Sequence, residues 1–316
     1  MPGARWQDSS WIKVAVVAAV IALAPLLFPS AFYYKIGGTI FIAAIAAVGL
    51  NILMGFAGQV SLGHAGFFGI GAYVVALAPV KLGVPAWAAL LAGMVLSCLI
   101  AWMIARPVLK LKGHYLAVAT LGLGMLVAMV LNNEAWLTGG PDGMPVGRLT
   151  LFGWTLTGSV TWYWVTGAVL LVAVLIALNL ADSPAGRALR ALHDSEVAAA
   201  VTGIDVAQAK LQAFVLSAAY ASLAGSLGAL SNGFISPDMA GFLHSIELVT
   251  MVVLGGLGSV LGSVVGAILL KSLPQVLTVL HDWEHMVLGL IMMLVMIFLS
   301  DGMVPTIARL LRRRRP

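Results

Sequence analysis

The chain has 316 residues, 61% of them hydrophobic and only 9% charged, with a formal net charge of +5 and a mean hydropathy of +1.04. Soluble domains carry about 25% charged residues and disordered chains are poor in apolar ones, so both classes are excluded. The solvent that fits is a lipid bilayer, and the modest positive balance reflects where basic residues sit about a membrane, not nucleic-acid binding.

A hydrocarbon core is crossed by about 20 apolar residues in a helix. The apolar stretches here are continuous, unlike the alternating segments of about ten residues in a membrane β-barrel. The expected fold class is therefore all-α, a polytopic transmembrane helical bundle of about ten spans with glycine-broken helices, eight or nine being the alternatives. The predicted spans are 11–28, 36–54, 64–82, 85–105, 115–131, 161–180, 213–230, 245–258, 260–279 and 285–300. Arg5 and Lys13 before the first apolar run loosely resemble a signal peptide, but the polytopic remainder favours a retained first helix. The eighth segment is short and glycine-broken, which suits a re-entrant helix. The chain, 1–316, reads as a single transmembrane domain with an inner loop at 181–212 and a basic tail at 306–316. Cys98 is the only cysteine, so no internal disulfide can form.

Basic residues set the orientation. With the N-terminus inside, Arg5, Lys13, Arg106, Lys110, Lys112, Arg187, Arg190, Lys210, Arg309 and Arg312 to Arg315 all face inward. Only Lys35, Lys81, Arg148 and Lys271 remain outside. Both termini are then cytoplasmic, and the tail arginines anchor at anionic headgroups.

In the inner loop, Asp182 or Ser183 can cap a helix in which Pro184 takes the first turn. Ala185, Ala188, Leu189, Leu192, Ala199 and Ala200 fall near one face, Gly203 supplies a stop, and Asp205 can cap the next helix. An amphipathic helix ending at glycine thus lies on the inner surface. It either rests on lipid or inserts into a groove of a soluble partner, with Ala185, Gly186, Ala188 and Ala191 allowing close approach.

Glycines at 55, 58, 63, 66, 69 and 71 thin a helix at membrane depth, and Gln59, Ser61 and His64 add polar groups. Such a segment is either a substrate pathway or gate, or a site of tight packing by small residues. Its spacing recurs in Gly255, Gly258 and Val260 against Gly55, Gly58 and Val60, a hint of internal repetition. Glu247 is the acid expected within the membrane, where a charge costs about 2.5–3.5 kcal/mol on insertion scales, and it reads either as part of the translocation pathway or gate or as a structural hydrogen-bond or interfacial group. His244, one turn earlier, is its candidate partner, and Lys271 is expected to snorkel outward without a role. Thr138 to Gly143 reads as a turn, or as part of an outer gate or docking surface. No phosphate-binding G-x-x-x-x-G-K-[ST] sequence occurs, nor H-E-x-x-H or G-x-S-x-G, so neither a metal site nor an enzyme is expected.

Five stretches carry a family resemblance. They are Gly186-Arg187-Ala188-Leu189-Arg190-Ala191 followed by Glu196, Ala198 to Ala200 and Gly203; Gly58-Gln59-Val60-Ser61-Leu62-Gly63-His64 with Phe67 to Tyr73; Lys112-Gly113-His114-Tyr115 with Ala117 to Leu121; Leu137-Thr138-Gly139-Gly140-Pro141-Asp142-Gly143; and Val253 to Gly262. In this order they resemble the branched-chain amino-acid permease family of ABC importers, of LivH/LivM type and nearer LivM. The likeness runs from residue 36 to residue 300, with His193 where the family often carries arginine. The resemblance implies a transmembrane permease subunit, in the bacterial inner (cytoplasmic) membrane, of an ATP-driven importer for branched-chain or related amino acids. Its implied partners are a second similar permease, two ABC ATPase subunits and a periplasmic or extracellular solute-binding protein. ATP and Mg would be held by the partners, with no cofactor bound by this chain. It also implies that residues 181–212 are the cytoplasmic coupling loop, with Gly186, Arg187, Ala188, Leu189, Arg190, Ala191, Glu196 and Gly203 as ATPase contacts. A urea or short-chain amide importer is the alternative within the class. A self-contained secondary transporter is the alternative outside it, and it would have to build its ion site on Glu247 alone.

Overall fold

The computed structural model describes residues 4–109, 111, 113–151, 154–276, 289, 293 and 302–306. The expected last span at 285–300 and the basic tail therefore lie almost wholly outside the described residues, as do Lys110 and Lys112.

The chain begins with α1 (Ala4–Leu23), a short 3-10 turn at Ala24–Leu27, and α2 (Ala31–Asn51). A π-helical turn at Ile52–Phe56 ends α2, and an irregular stretch leads to α3 (His64–Leu82), α4 (Ala86–Val108) and α5 (His114–Asn133). The outer connection holds α6 (Ala135–Thr138), a 3-10 turn at Gly140–Asp142, and the strands β1 (Met144–Pro145), β2 (Thr150–Leu151) and β3 (Trp154–Thr155). Then come α7 (Ser159–Asp182), α8 (Pro184–Asp194), α9 (Glu196–Val201), α10 (Val206–Asn232), β4 (Phe234–Ile235), α11 (Phe242–Gly255) and α12 (Val260–Val276). Among the described residues six helices are long and apolar enough to cross a membrane: Ala31–Phe56, His64–Leu82, Ala86–Val108, His114–Asn133, Ser159–Asp182 and Val206–Asn232. Trp11–Leu27, Phe242–Gly255 and Val260–Gln275 are shorter apolar helices. At 1.5 Å per residue the 14-residue α11 reaches only about 21 Å, short of a hydrocarbon core about 30 Å thick.

The centre of the bundle is α2, α3 and α10, with α4, α7, α11 and α12 packed round it. Lipid gives helices no hydrophobic reason to associate, so close contact through small residues has to do that work. Ala43, Ala44, Ala46 and Ala47 are buried in α2. A Cβ on Gly49 would strike the Tyr220 side chain, one on Gly71 the Ser222 backbone, and one on Gly225 the Phe68 backbone. Hydroxyl groups pin the pairs: Tyr163 Oη donates to the Ile21 carbonyl at 2.8 Å, joining α7 to α1, and Tyr220 Oη donates to Ala173 at 2.9 Å, joining α10 to α7. β1 pairs antiparallel with β4, Met144 opposite Ile235, so the α5–α7 connection is stitched to the α10–α11 connection.

One expectation needs revision. The inner loop holds two helices, α8 and α9, not one, because the chain extends at Ser195, whose side chain accepts from Ala198 N and starts a new helix. The next helix begins at Val206 under the Asp205 cap that the sequence predicts and runs without a break through the predicted span at 213–230, Lys210 finding an ionic partner on the way.

Candidate functional site

The inner loop is built on caps. Ser183 Oγ accepts from Gly186 N at 3.1 Å with Pro184 in the first turn, as its sequence predicts. Gly203 takes φ +87° between α9 and α10, and Asp205 Oδ1 accepts from Gln208 N at 3.0 Å. Gly186, Leu189, Leu192 and Ala199 are buried, whereas Ala185 and Ala200 are exposed and Ala188 and Ala191 half-buried. Gly186 is thus unavailable for close approach by a partner: a Cβ there would strike the Leu180 and Ala181 carbonyls. Arg187 and Arg190 turn back onto α7, Arg187 Nη1 donating to Asp182 O at 3.1 Å and Arg190 Nη2 to Ala181 O at 2.7 Å. They complete the C-terminal carbonyls of that helix, where cations are favoured. Glu196 accepts from Lys210 Nζ at 2.5 Å, and that lysine side chain is only 6% exposed. Beside the exposed Arg187, Arg190, His193 and Asp194 of α8, the loop presents an apolar feature on α9. Val197 and Val201, one turn apart on α9, are 73% and 83% exposed. The sequence sets these two valines at i and i+4 about an alanine run, but they were absent from the expected contacts.

Beneath the loop lies the glycine break. Arg190 stands over the Phe56 ring at 5.9 Å, and His193 packs on Gly58, where a Cβ would come within 3.1 Å of His193 Nδ1. Gly58 has φ +67°, a conformation side chains disfavour. The other glycines serve close packing. A Cβ on Gly63 would strike the Thr120 carbonyl, and one on Gly66 would press on Gly124. Ser61 and His64 do come together: His64 is fully buried, with Nδ1 3.0 Å from Ser61 Oγ and Nε2 2.5 Å from Ser217 Oγ. Ser217 is about 16 Å along α10 from its start, so this contact is deep in the bundle. Gln59 is buried with neither its amide N nor its O hydrogen-bonded among the described residues. Asn51 closes the break against the late glycine segment. It donates to Ser259 O at 2.8 Å and Ser263 Oγ at 2.7 Å and accepts from Gly258 N at 2.9 Å. Gly55 lies directly on Gly258, so the two segments of matched spacing abut.

Glu247 is apart from this cluster, between α11, α12 and the start of α2. Its predicted partner is present, His244 Nδ1 lying 3.1 Å from Oε2. The expectation for Lys271 is corrected: it does not simply snorkel, because its Nζ lies 2.6 Å from Glu247 Oε1. A lysine on a different helix carries no spacing signal, which is why the pair was not visible in sequence. The outer turn is a tight knot. Thr138 Oγ1 donates to Leu131 O at 2.7 Å, Gly139, Gly140 and Gly143 all have positive φ, and Gly143 lies against Ile235 of β4. Asp142 is exposed beside it.

Residues 33–296 match the family described as branched-chain amino acid transport system / permease component. The chain belongs to that family. The permease protein LivM of the high-affinity branched-chain amino acid transport system of Salmonella typhimurium is 34% identical over 326 residues, covering 94% of this chain and 76% of its own length. The LivM of Escherichia coli K12 is 33% identical over 328 residues. LivH of Salmonella typhimurium is 27% identical over 249 residues, and the autoinducer 2 import system permease LsrC of Salmonella paratyphi B is 29% identical over 252. No solved structure matches the chain. As a permease of this family the chain is a multi-pass membrane component of an ABC importer, and the resemblance read from its motifs is borne out.

Proposed function

We propose that the chain is one of two permease subunits lining the pathway of an ATP-driven importer of branched-chain or related amino acids. Two ATPase subunits, which hold ATP and Mg, bind the inner loop, and a solute-binding protein delivers cargo at the outer turn around Asp142. Both termini are cytoplasmic, and about ten spans cross the inner membrane. The observation that carries the reading is the construction of residues 181–212. The loop exposes an apolar ridge at Val197 and Val201, while its other side is pinned to α7, to α10 and to the glycine break. Such a ridge fits the groove of a soluble partner. A push on α9 passes through Glu196 to Lys210 on α10, and a push on α8 passes through His193 to Gly58. Gln59, Ser61, Gly63 and His64 then lie where α2 and α3 part, as the gate that these pushes open or close.

The test is reconstitution of the whole importer in proteoliposomes, with ATP hydrolysis and leucine uptake measured together. Val197→Asp with Val201→Asp is expected to abolish ATPase binding and uptake, because a desolvated carboxylate in an apolar contact is costly. Uptake at the unmodified rate with both substitutions sinks the proposal. LsrC serves a system for a different solute, so autoinducer 2, urea and acetamide belong in the same uptake assay as competitors.

A further inference from the structure

A cavity of about 410 Å³ opens between α2, α11 and α12. That volume is in the range of small-molecule sites. Its wall carries three charged residues, Lys35, Glu247 and Lys271, and the apolar side chains of Phe32, Ile36 and Leu270. Glu247 and Lys271 are ion-paired, yet their side chains remain 29% and 25% exposed. Lys35 is exposed at the mouth and forms no ion pair among the described residues. A helix bundle in lipid has no structural need for such a group. Glu247 already has Lys271 as its ionic partner and a hydrogen-bond contact to His244. Among the described residues the cavity therefore offers a cation without an ion pair, a carboxylate with lone pairs left over, and an aliphatic and aromatic wall.

We propose that this cavity is a station for the transported amino acid, Lys35 pairing with its α-carboxylate, Glu247 with its α-ammonium, and Phe32, Ile36 and Leu270 covering its aliphatic side chain. The inference rests on the reading of the chain as an amino-acid permease and adds that the pathway itself recognises the zwitterion. Neither charge alone would do. A lone cation suits any anion, and a lone acid any cation, whereas opposite charges beside an apolar wall fit an apolar amino acid. A phosphatidylethanolamine headgroup offers the same ammonium and anion, so the lipid must be controlled.

The experiment uses the assembled permease–ATPase complex without binding protein, in nanodiscs of phosphatidylglycerol and phosphatidylcholine, and measures equilibrium binding of radiolabelled leucine. Saturable binding is expected, displaced by valine but not by leucinamide, which lacks the carboxylate, nor by 4-methylpentanoate, which lacks the ammonium. Lys35→Met is expected to weaken leucine binding about tenfold, the loss that goes with one charged hydrogen bond. Because Glu247→Gln alone would strand Lys271, Glu247→Gln with Lys271→Met is the second variant, and it is expected to weaken binding at least as much. Elution as a monodisperse complex checks folding of each. Equal displacement by leucinamide, unchanged affinity in both variants, or displacement of leucine by added phosphatidylethanolamine overturns the inference. No saturable binding in a complex that still imports leucine from its binding protein overturns it while leaving the permease reading intact. A complex that imports only a solute other than an amino acid overturns both.

Discussion

Gly55 has no space for a methyl group. A Cβ there would run into Asn51 Oδ1 and the Gly258 backbone, neither of which is the free end of a flexible chain. Gly55→Ala is expected to cost about 1–3 kcal/mol, as overpacking does, and to lower the melting temperature of the detergent-solubilised protein. His64→Leu should do comparable damage by another route, since it leaves Ser61 and Ser217 hydroxyls unpaired at full burial, at about 1–3 kcal/mol each. Thermal melts of His64→Leu beside the triple change His64→Leu, Ser61→Ala and Ser217→Ala check this, because adding the serine changes removes the stranded hydroxyls and should recover part of the loss. At this scale the sequence was legible wherever partners share a helix. His244 and Glu247, one turn apart, were paired on spacing, and Ser183, Pro184, Gly203 and Asp205 stand at the caps their chemistry suits. It was illegible wherever the partner came from elsewhere in the chain. Asn51 with Ser263 and Glu247 with Lys271 are products of packing, and nothing local announces them.

The pair α8 and α9 is tied to the bundle through Arg187, Arg190 and, at its middle, Glu196, and it carries exposed valines at its far end. Lys210 is buried and ion-paired with Glu196. Glu196→Gln should destabilise more than the double change Glu196→Gln with Lys210→Met, because breaking a buried pair strands a charge while removing both groups does not. Guanidinium-free thermal unfolding of the three proteins reads that order directly. Gly58→Ala places a Cβ against His193 and forces a residue with a side chain into φ +67°. The expected outcome is ATP hydrolysis that continues while leucine uptake per ATP falls several-fold, measured in the same vesicles. The sequence revealed that this loop was helical, capped and amphipathic. The division at Ser195 is not legible because the alanine-rich segments on either side read equally well as one helix, and exposure of Val197 and Val201 is not legible because valine carries no local signal of facing outward. Those arginines turn inward to cap α7.

For the molecule as a whole, composition alone settled the solvent and fold class, since few charges and continuous apolar runs leave only a helical membrane bundle. Element boundaries shifted where the short-range pattern was weakest, at the broken end of α2 and at α11, which is too short for a simple crossing. No G-x-x-x-x-G-K-[ST] run occurs in the sequence. Vesicles holding only the permease pair are expected to show no uphill leucine accumulation under an imposed sodium or proton gradient, while adding the ATPases, ATP and binding protein restores it. The ribbon of β1 with β4 carries a consequence for biosynthesis. Met144 leaves the ribosome long before Ile235, so the outer crown must wait, half-made, until α7 through α10 have been inserted. A nascent chain arrested before Phe234 should expose that crown to protease, and one arrested well beyond Ile235 should shield it.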